Sequence, residues 1–239
     1  MTEPTPWQHL GGPSHVMRST AARALVNIGL VVGSERALVV DTGCGPRHAT
    51  EILAGVRTVT KLPLVVANTH AHWDHFFGNA VFKHDGVSDF WAHAAARRDM
   101  TVTGESQRDA VSGVEPEMAA GEGPGTDLVL PTRVVRQGPV VLDLGNLSVT
   151  LFTLGPAHTE GDLLVGAPGV LFAGDVLEEG AEPQFGDADR GGWIRVLRML
   201  AGMGGEYPVM VPGHGNPVTA DFAARMADAM DRGAFRKAR

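Results

Sequence analysis

Thr69-His70-Ala71-His72-Trp73-Asp74-His75 places three imidazoles and one carboxylate within six consecutive positions, 70 to 75. Protonated imidazoles at that density repel one another, whereas neutral imidazole nitrogen and carboxylate oxygen are the usual donors to zinc or iron. The alternative is a solvated histidine cluster. Working outward, Leu62 to Thr69 is an apolar run too short for a buried helix and reads as a core strand that ends at His70. The stretch therefore sits on the loop that leaves a buried strand, where side chains can be aimed into a cleft.

Three later stretches repeat this arrangement. Gly155-Pro156-Ala157-His158-Thr159-Glu160-Gly161-Asp162, Phe172-Ala173-Gly174-Asp175 and Val211-Pro212-Gly213-His214-Gly215 each place a donor just after an apolar strand and beside glycine. Ahead of all four stretches, Ala24–Val32 and Ala37–Val40 read as a hairpin ending at Asp41, and Pro46 opens a helix to about Thr58. A strand is predicted over 90–92 and a helix from Ala94 to Met100 or beyond. Residues 101–126 carry five glycines and no sustained apolar period, which predicts a loop or lid before strands resume at Leu128, Val140 and Leu147. Further strands are expected over 148–154, 162–166, 170–173 and 207–211, with helices over 191–203 and 217–235. Strands and helices mix in both halves, as two similar sheet-plus-helix halves would.

Composition sets the outer limits. The 239 residues are 44% hydrophobic and 20% charged, so one large globular domain over 1–239 is expected and a disordered or coiled-coil chain is excluded. The formal charge is −7 and no Lys or Arg block is present, which argues against a nucleic-acid partner. The lone cysteine, Cys44, cannot form an internal disulfide; with the polar opening Met1–Pro6, this predicts a cytoplasmic protein. No apolar run long enough to span a membrane is present, and homodimerisation is left open.

With these motifs in this order, the chain resembles the metallo-β-lactamase superfamily along essentially its whole length. The resemblance implies an α/β fold, a four-layer αββα sandwich, with a dinuclear site at one edge of the two sheets. It implies His70, His72 and His158 on one metal, Asp74, His75 and His214 on the other, and Asp175 bridging both. Two Zn²⁺ per chain are expected, with iron or manganese as alternatives; three protein donors per ion plus a shared carboxylate leave room for water, as catalytic zinc requires. The predicted reaction is attack of a metal-bridging hydroxide on a small-molecule carbonyl, an ester, lactone, thioester or cyclic amide such as a β-lactam, with Asp74 as catalytic orienter and proton acceptor.

The family's branches narrow this. The best-known β-lactamases carry cysteine where this chain has Asp175, and they are exported. Glyoxalase II-like thioesterases share that aspartate but add a helical glutathione-binding domain, for which the 25 residues after His214 are too few. The closest ligand set is that of the glyoxalase II-like and lactonase branches. A second reading is a persulfide dioxygenase with one iron on the residues matching His70, His158 and Asp175; a third is a non-catalytic metal-binding protein. The stretch 176–192 follows Asp175 and is expected to overhang the site; its five acids against Arg190 disfavour a polyanionic substrate.

Other residues read blandly. Asp41-Thr42-Gly43 is a structural turn in which the resemblance allows Asp41 a supporting contact to a ligand. Cys44 is a packing residue, and His9, His15, His48, His84 and His93 are surface or cap residues. Trp73, Phe76, Phe77, Phe185 and Trp193 either wall a pocket or simply pack.

Overall fold

A computed structural model describes residues 7–18 and 25–235. Met1–Pro6 and Ala24, which figure in the expectations above, lie outside them.

The first half forms a seven-stranded sheet in simple sequence order: β1 (Gln8–Gly11), β2 (Ser14–Arg18), β3 (Asn27–Val32), β4 (Ala37–Val40), β5 (Leu64–Ala67), β6 (Phe90–His93) and β7 (Arg133–Val135). The strands are antiparallel up to β4 and parallel from there on. Helices α1 (Pro46–Val59), α2 (Trp73–Phe76), α3 (Asn79–His84), α4 (Ala94–Thr103) and α5 (Pro116–Ala120) fill the connections. A five-stranded sheet follows, of β8 (Val140–Asp143), β9 (Ser148–Phe152), β10 (Leu164–Ala167), β11 (Val170–Glu178) and β12 (Val209–His214), with β11 and β12 parallel and the others antiparallel. Helices α6 (Arg190–Ala201) and α7 (Ala220–Asp231) complete it.

The layers follow from strand periodicity. In β4, Ala37 and Val39 join a core with Ile52 and Val56 of α1, whereas Leu38 and Val40 join a core with Val149, Leu151 and Val165 of the second sheet. Val65 and Ala67 of β5 face the same way as Leu38, and Leu64 and Val66 the other. A strand covered on both faces can be apolar at every position, which is why these runs do not alternate with polar residues. On the far side of the second sheet, Leu171 and Ala173 pack under Trp193 and Leu197 of α6 and Ala223 and Met226 of α7. Helix, sheet, sheet, helix is thus the order of layers, the expected αββα sandwich.

Three local expectations fail. Residues 101–126 are not an open loop: α4, a 3-10 helix over Glu105–Val111 and α5 occupy most of them, and Met100, Val111 and Met118 are buried. One apolar anchor per short helix leaves no repeating period to detect. Leu128 starts no strand; pairing begins at Arg133. Strands β1 and β2 are additional to those predicted, and the short polar β1 is an exposed edge. No helix among the described residues is long and apolar enough to cross a membrane.

Candidate functional site

All seven sequence-predicted donors converge at the edge where the two sheets meet. His70, His72, His158 and Asp175 offer ligand atoms within 4.8 Å of one another, and so do Asp74, His75 and His214. Asp175 faces both groups: its Oδ2 lies 3.8 Å from His70 Nε2, 3.6 Å from His158 Nε2 and 3.6 Å from His214 Nε2, and its Oδ1 3.3 Å from His75 Nε2.

Several of these residues are held from behind. After β5 the chain turns on Asn68, which donates from Nδ2 to the His75 carbonyl at 3.0 Å, while the Thr42 backbone N–H reaches the same oxygen at 3.0 Å. Asp41 sits in the left-handed region (φ 66°), a conformation that aspartate tolerates better than most residues. From there its carboxylate accepts from the Thr69 N–H and hydroxyl, both at 2.8 Å, and faces His75 Nδ1 at 2.8 Å. The loop of His158 is closed by Asp162, which accepts from the Thr159 hydroxyl at 2.6 Å, and Leu163 N–H donates to the Thr69 carbonyl at 2.7 Å, tying the two donor loops together. Asn27 of β3 reaches across to the second sheet and donates to the carbonyls of Pro212 and Gly215 at 2.8 and 2.9 Å, framing His214. Sequence reading gave Asn27 no role, because its partners lie far away in sequence, and it left Asp162, Glu178 and Trp193 without a supporting role, although Asp162 stands in the quoted His158 stretch and Trp193 among the aromatic candidates.

The electrostatics suit cations. Burial opposes ionisation of Asp175, but His75 and His70 outweigh it and hold the carboxyl well below the usual range. Burial likewise disfavours a charged His75, yet Asp175, Asp74 and Asp41 raise it well above an ordinary imidazole; His214, hydrogen-bonded to Asp74, rises to about 9. Burial pushes His158 down to about 4. The cluster therefore mixes neutral nitrogen donors with carboxylates that attract positive charge. His70 Nε2, His75 Nε2 and Asp175 Oδ1 are buried and hydrogen-bond to nothing in the structure, although buried polar atoms are normally paired. A metal ion is the kind of partner that such a donor set fits.

A hollow of about 370 Å³ opens onto the cluster, bordered by Trp73, Glu178, Ala181, Glu182 and Gln184 besides the donors. The 176–192 segment thus overhangs the site, and Asp187 lies 3.1 Å from His72 Nε2. Of the aromatic candidates, Trp73 borders the hollow. Phe76 and Phe77 are core, and Trp193 is fully buried with its indole N–H on the Val176 carbonyl at 2.8 Å and its ring against His158. His93 caps α4 as expected. His48, expected as a surface or cap residue, is buried, and its Nδ1 accepts from the Cys44 N–H at 3.2 Å just ahead of α1.

Two stacked sheets flanked by helices, with this His/Asp cluster at one edge, place the chain in the αββα class. Residues 22–214 match the family model of the metallo-beta-lactamase superfamily, and the chain belongs to that superfamily. It is 32% identical over 218 residues to the acyl-coenzyme A thioesterase MBLAC2 of Bos taurus, and equally to that of Homo sapiens, covering 84% of this chain and 77% of each relative. Among solved structures, the metallo-beta-lactamase FIM-1 from Pseudomonas aeruginosa in its mono-zinc form superposes with a TM-score of 0.73 at 19% identity, covering 98% of this chain and 97% of that one. A metallo-beta-lactamase from Pontibacter korlensis gives 0.72 at 18%, covering 94% and 98%. At such identities the structural likeness establishes the fold alone.

Proposed function

We propose that the chain hydrolyses acyl thioesters or esters at a dinuclear zinc centre, with His70, His72 and His158 holding one ion, Asp74, His75 and His214 the other, and Asp175 lying between them. The observation that carries this reading is the pair of three-donor groups joined by one carboxylate that faces both. Zinc bound there supplies an activated water and a Lewis acid toward the carbonyl oxygen. The chain supplies the rest. Asp74 orients the attacking water and takes its proton, because His214 Nε2, 3.3 Å from its Oδ2, fixes the carboxylate at the mouth of the hollow. Trp73 provides an apolar border against which an acyl group can lie. Attack would form the new C–O bond, the acyl–sulfur or acyl–oxygen bond would break, and the proton taken up by Asp74 would pass to the departing sulfur or oxygen, so that acid and thiol or alcohol leave.

Two observations support an acyl substrate. The relatives at 32% identity are named as acyl-coenzyme A thioesterases. A second hollow of about 480 Å³, bordered by Ala181, Phe222, Met226, Ala229 and Phe235, meets the first along Glu178, Ala181 and Glu182, giving apolar surface beside the reacting group. The acids at the rim, Glu182 and Asp187, favour a second reading within the same chemistry, a neutral ester or lactone in place of a polyanionic thioester.

The test is elemental analysis of protein purified without chelator, followed by a panel of acyl thioesters of increasing chain length, neutral esters, lactones and β-lactams. About two zinc per chain with thioester turnover is expected. About one iron per chain with oxygen consumption would replace the hydrolase by a dioxygenase.

A further inference from the structure

His158 carries a second contact that the donor geometry does not use. Its Nε2 points into the cluster, 3.0 Å from His72 Nδ1 and 3.6 Å from Asp175 Oδ2. Its Nδ1 points away, is buried, and hydrogen-bonds to nothing. Facing that nitrogen at 3.9 Å is Oε1 of Glu178, also buried and also without a hydrogen-bond partner. Two buried polar atoms of complementary chemistry, each lacking a partner, thus stand opposite one another. Leaving both unpaired is costly in a buried setting, so a partner for each is favoured. The approach needed to join them is under 1.2 Å, given the usual N–H···O length of roughly 2.7–3.2 Å.

The strand is shaped to put Glu178 there. Residues three apart in a regular strand face opposite sides, so Asp175 and Glu178 of β11 would normally diverge. Pairing with β12 breaks register between Gly174↔Pro212 and Glu178↔His214, with four steps along β11 matched by two along β12. Such an irregularity bends the strand and re-aims side chains, and both carboxylates reach the same cluster. The Trp193 ring, 5.2 Å from the imidazole centroid and edge-on to it, limits rotation of His158 from another direction.

The neighbouring donors show the same pattern completed. His75 has Nε2 toward Asp175 and Nδ1 on Asp41 at 2.8 Å; His72 has Nδ1 toward His158 and Nε2 on Asp187 at 3.1 Å. In each, one nitrogen faces the cluster and the other a carboxylate outside it. We infer that Glu178 is a positioning residue for His158: its carboxylate accepts the Nδ1–H, fixes that tautomer and leaves the Nε2 lone pair aimed at the metal position. This rests on the proposed metal centre; in the metal-free chain the tautomer answers both to Glu178 and to His72 Nδ1, 3.0 Å from His158 Nε2, so it is the change on replacing Glu178 that reads the contact.

Two measurements separate the ideas. Long-range ¹H–¹⁵N correlation spectra of chelator-treated protein report which nitrogen of His158 carries the proton. Nδ1–H is expected in the wild type and in Glu178→Gln, whose amide oxygen accepts the same bond, with a shift toward Nε2–H or a mixture in Glu178→Leu. Nε2–H to the same extent in the wild type and in both variants overturns the inference. Zinc titration against a competing chelator should then show affinity of the weakened site falling roughly 10–100-fold in Glu178→Leu, the usual effect of losing such a partner, with Glu178→Gln within a few-fold of wild type and the metal-free melting temperature of Glu178→Leu not lowered. Equal affinity in all three proteins, or equal loss in both variants, overturns the role. A wild type that binds no zinc refutes the metal centre, while the tautomer measurement still decides the contact.

Discussion

The carboxylate of Asp41 meets Nδ1 of His75 at 2.8 Å, joining the turn after β4 to the donor cluster across 34 residues of sequence. That carboxylate also takes both polar hydrogens of Thr69. Three donors converge on two oxygens, so aspartate is suited to the place and asparagine is not, since its NH₂ would face a donor.

Asp41→Asn is therefore expected to lower zinc affinity by roughly 10–100-fold and to reduce stability by about 1–3 kcal/mol for the buried group left unsatisfied. Competitive chelation and urea unfolding measure the two effects. Wild-type affinity in the variant would show that the contact does not orient His75.

His48, outside the donor set, predicts an acid sensitivity set chiefly by burial. Burial lowers it to about 4, and its Nδ1 accepts a backbone N–H and so must stay unprotonated. Because the folded value lies below the unfolded one of about 6.5, the stability it contributes is complete above pH 6.5 and is lost as pH falls toward 4. At about 1.4 kcal/mol per unit, the loss is on the order of 3 kcal/mol. In His48→Asn, whose side-chain oxygen can accept the same N–H, melting temperature should fall less between pH 6.5 and 4 than in the wild type. Parallel curves would remove His48 as the source.

What the sequence revealed and what it hid divide along physical lines. The seven residues that meet in the cluster were legible because imidazoles and carboxylates crowd together locally, as in His70 to His75, or follow an apolar strand beside glycine, as at His158 and His214. The central strands were legible because burial on both faces leaves unbroken Val and Leu runs. Glu178 was read only as one acid in an overhanging segment, since strand alternation sends it away from Asp175 and only the register break in β11 brings it back. The 101–126 segment was misread because each short helix there is fixed by one anchor, with Gln107 bridging to the Trp73 N–H and the Ala71 carbonyl, contacts that leave no periodic trace. His48 looked like a surface residue because the Glu115 side chain that accepts the N–H groups of Arg47 and His48 comes from nearly seventy residues away.

Gly213 tests how closely the backbone must approach the central carboxylate. A Cβ at this position would stand 1.8 Å from Asp175 Oδ1, far inside contact distance, so Gly213→Ala must displace Asp175 or the β12 turn. Metal content is expected to drop more than in Gly186→Ala, where the added carbon meets nothing within 4 Å. Equal zinc content in the two variants would mean that Asp175 can move without loosening the site.

The sharpest test of the proposed chemistry compares Asp74 with His214, which share a hydrogen bond at 3.3 Å but are assigned different work. Asp74 is both a donor to the second ion and the acceptor of the water's proton, whereas His214 is a donor only. Asp74→Asn keeps size and an oxygen donor but loses the charge and the basicity. Its kcat should fall by roughly 10²–10⁴-fold, the range for a lost general base, and remain low when excess zinc restores occupancy. His214→Ala lies at the end of β12 with its side chain partly exposed, so the sheet should tolerate it, and added zinc should recover a large part of kcat. Measuring both variants against zinc concentration, with occupancy followed in parallel, separates binding from proton transfer. Recovery of Asp74→Asn to the same extent as His214→Ala would leave Asp74 a ligand alone and require a different proton acceptor.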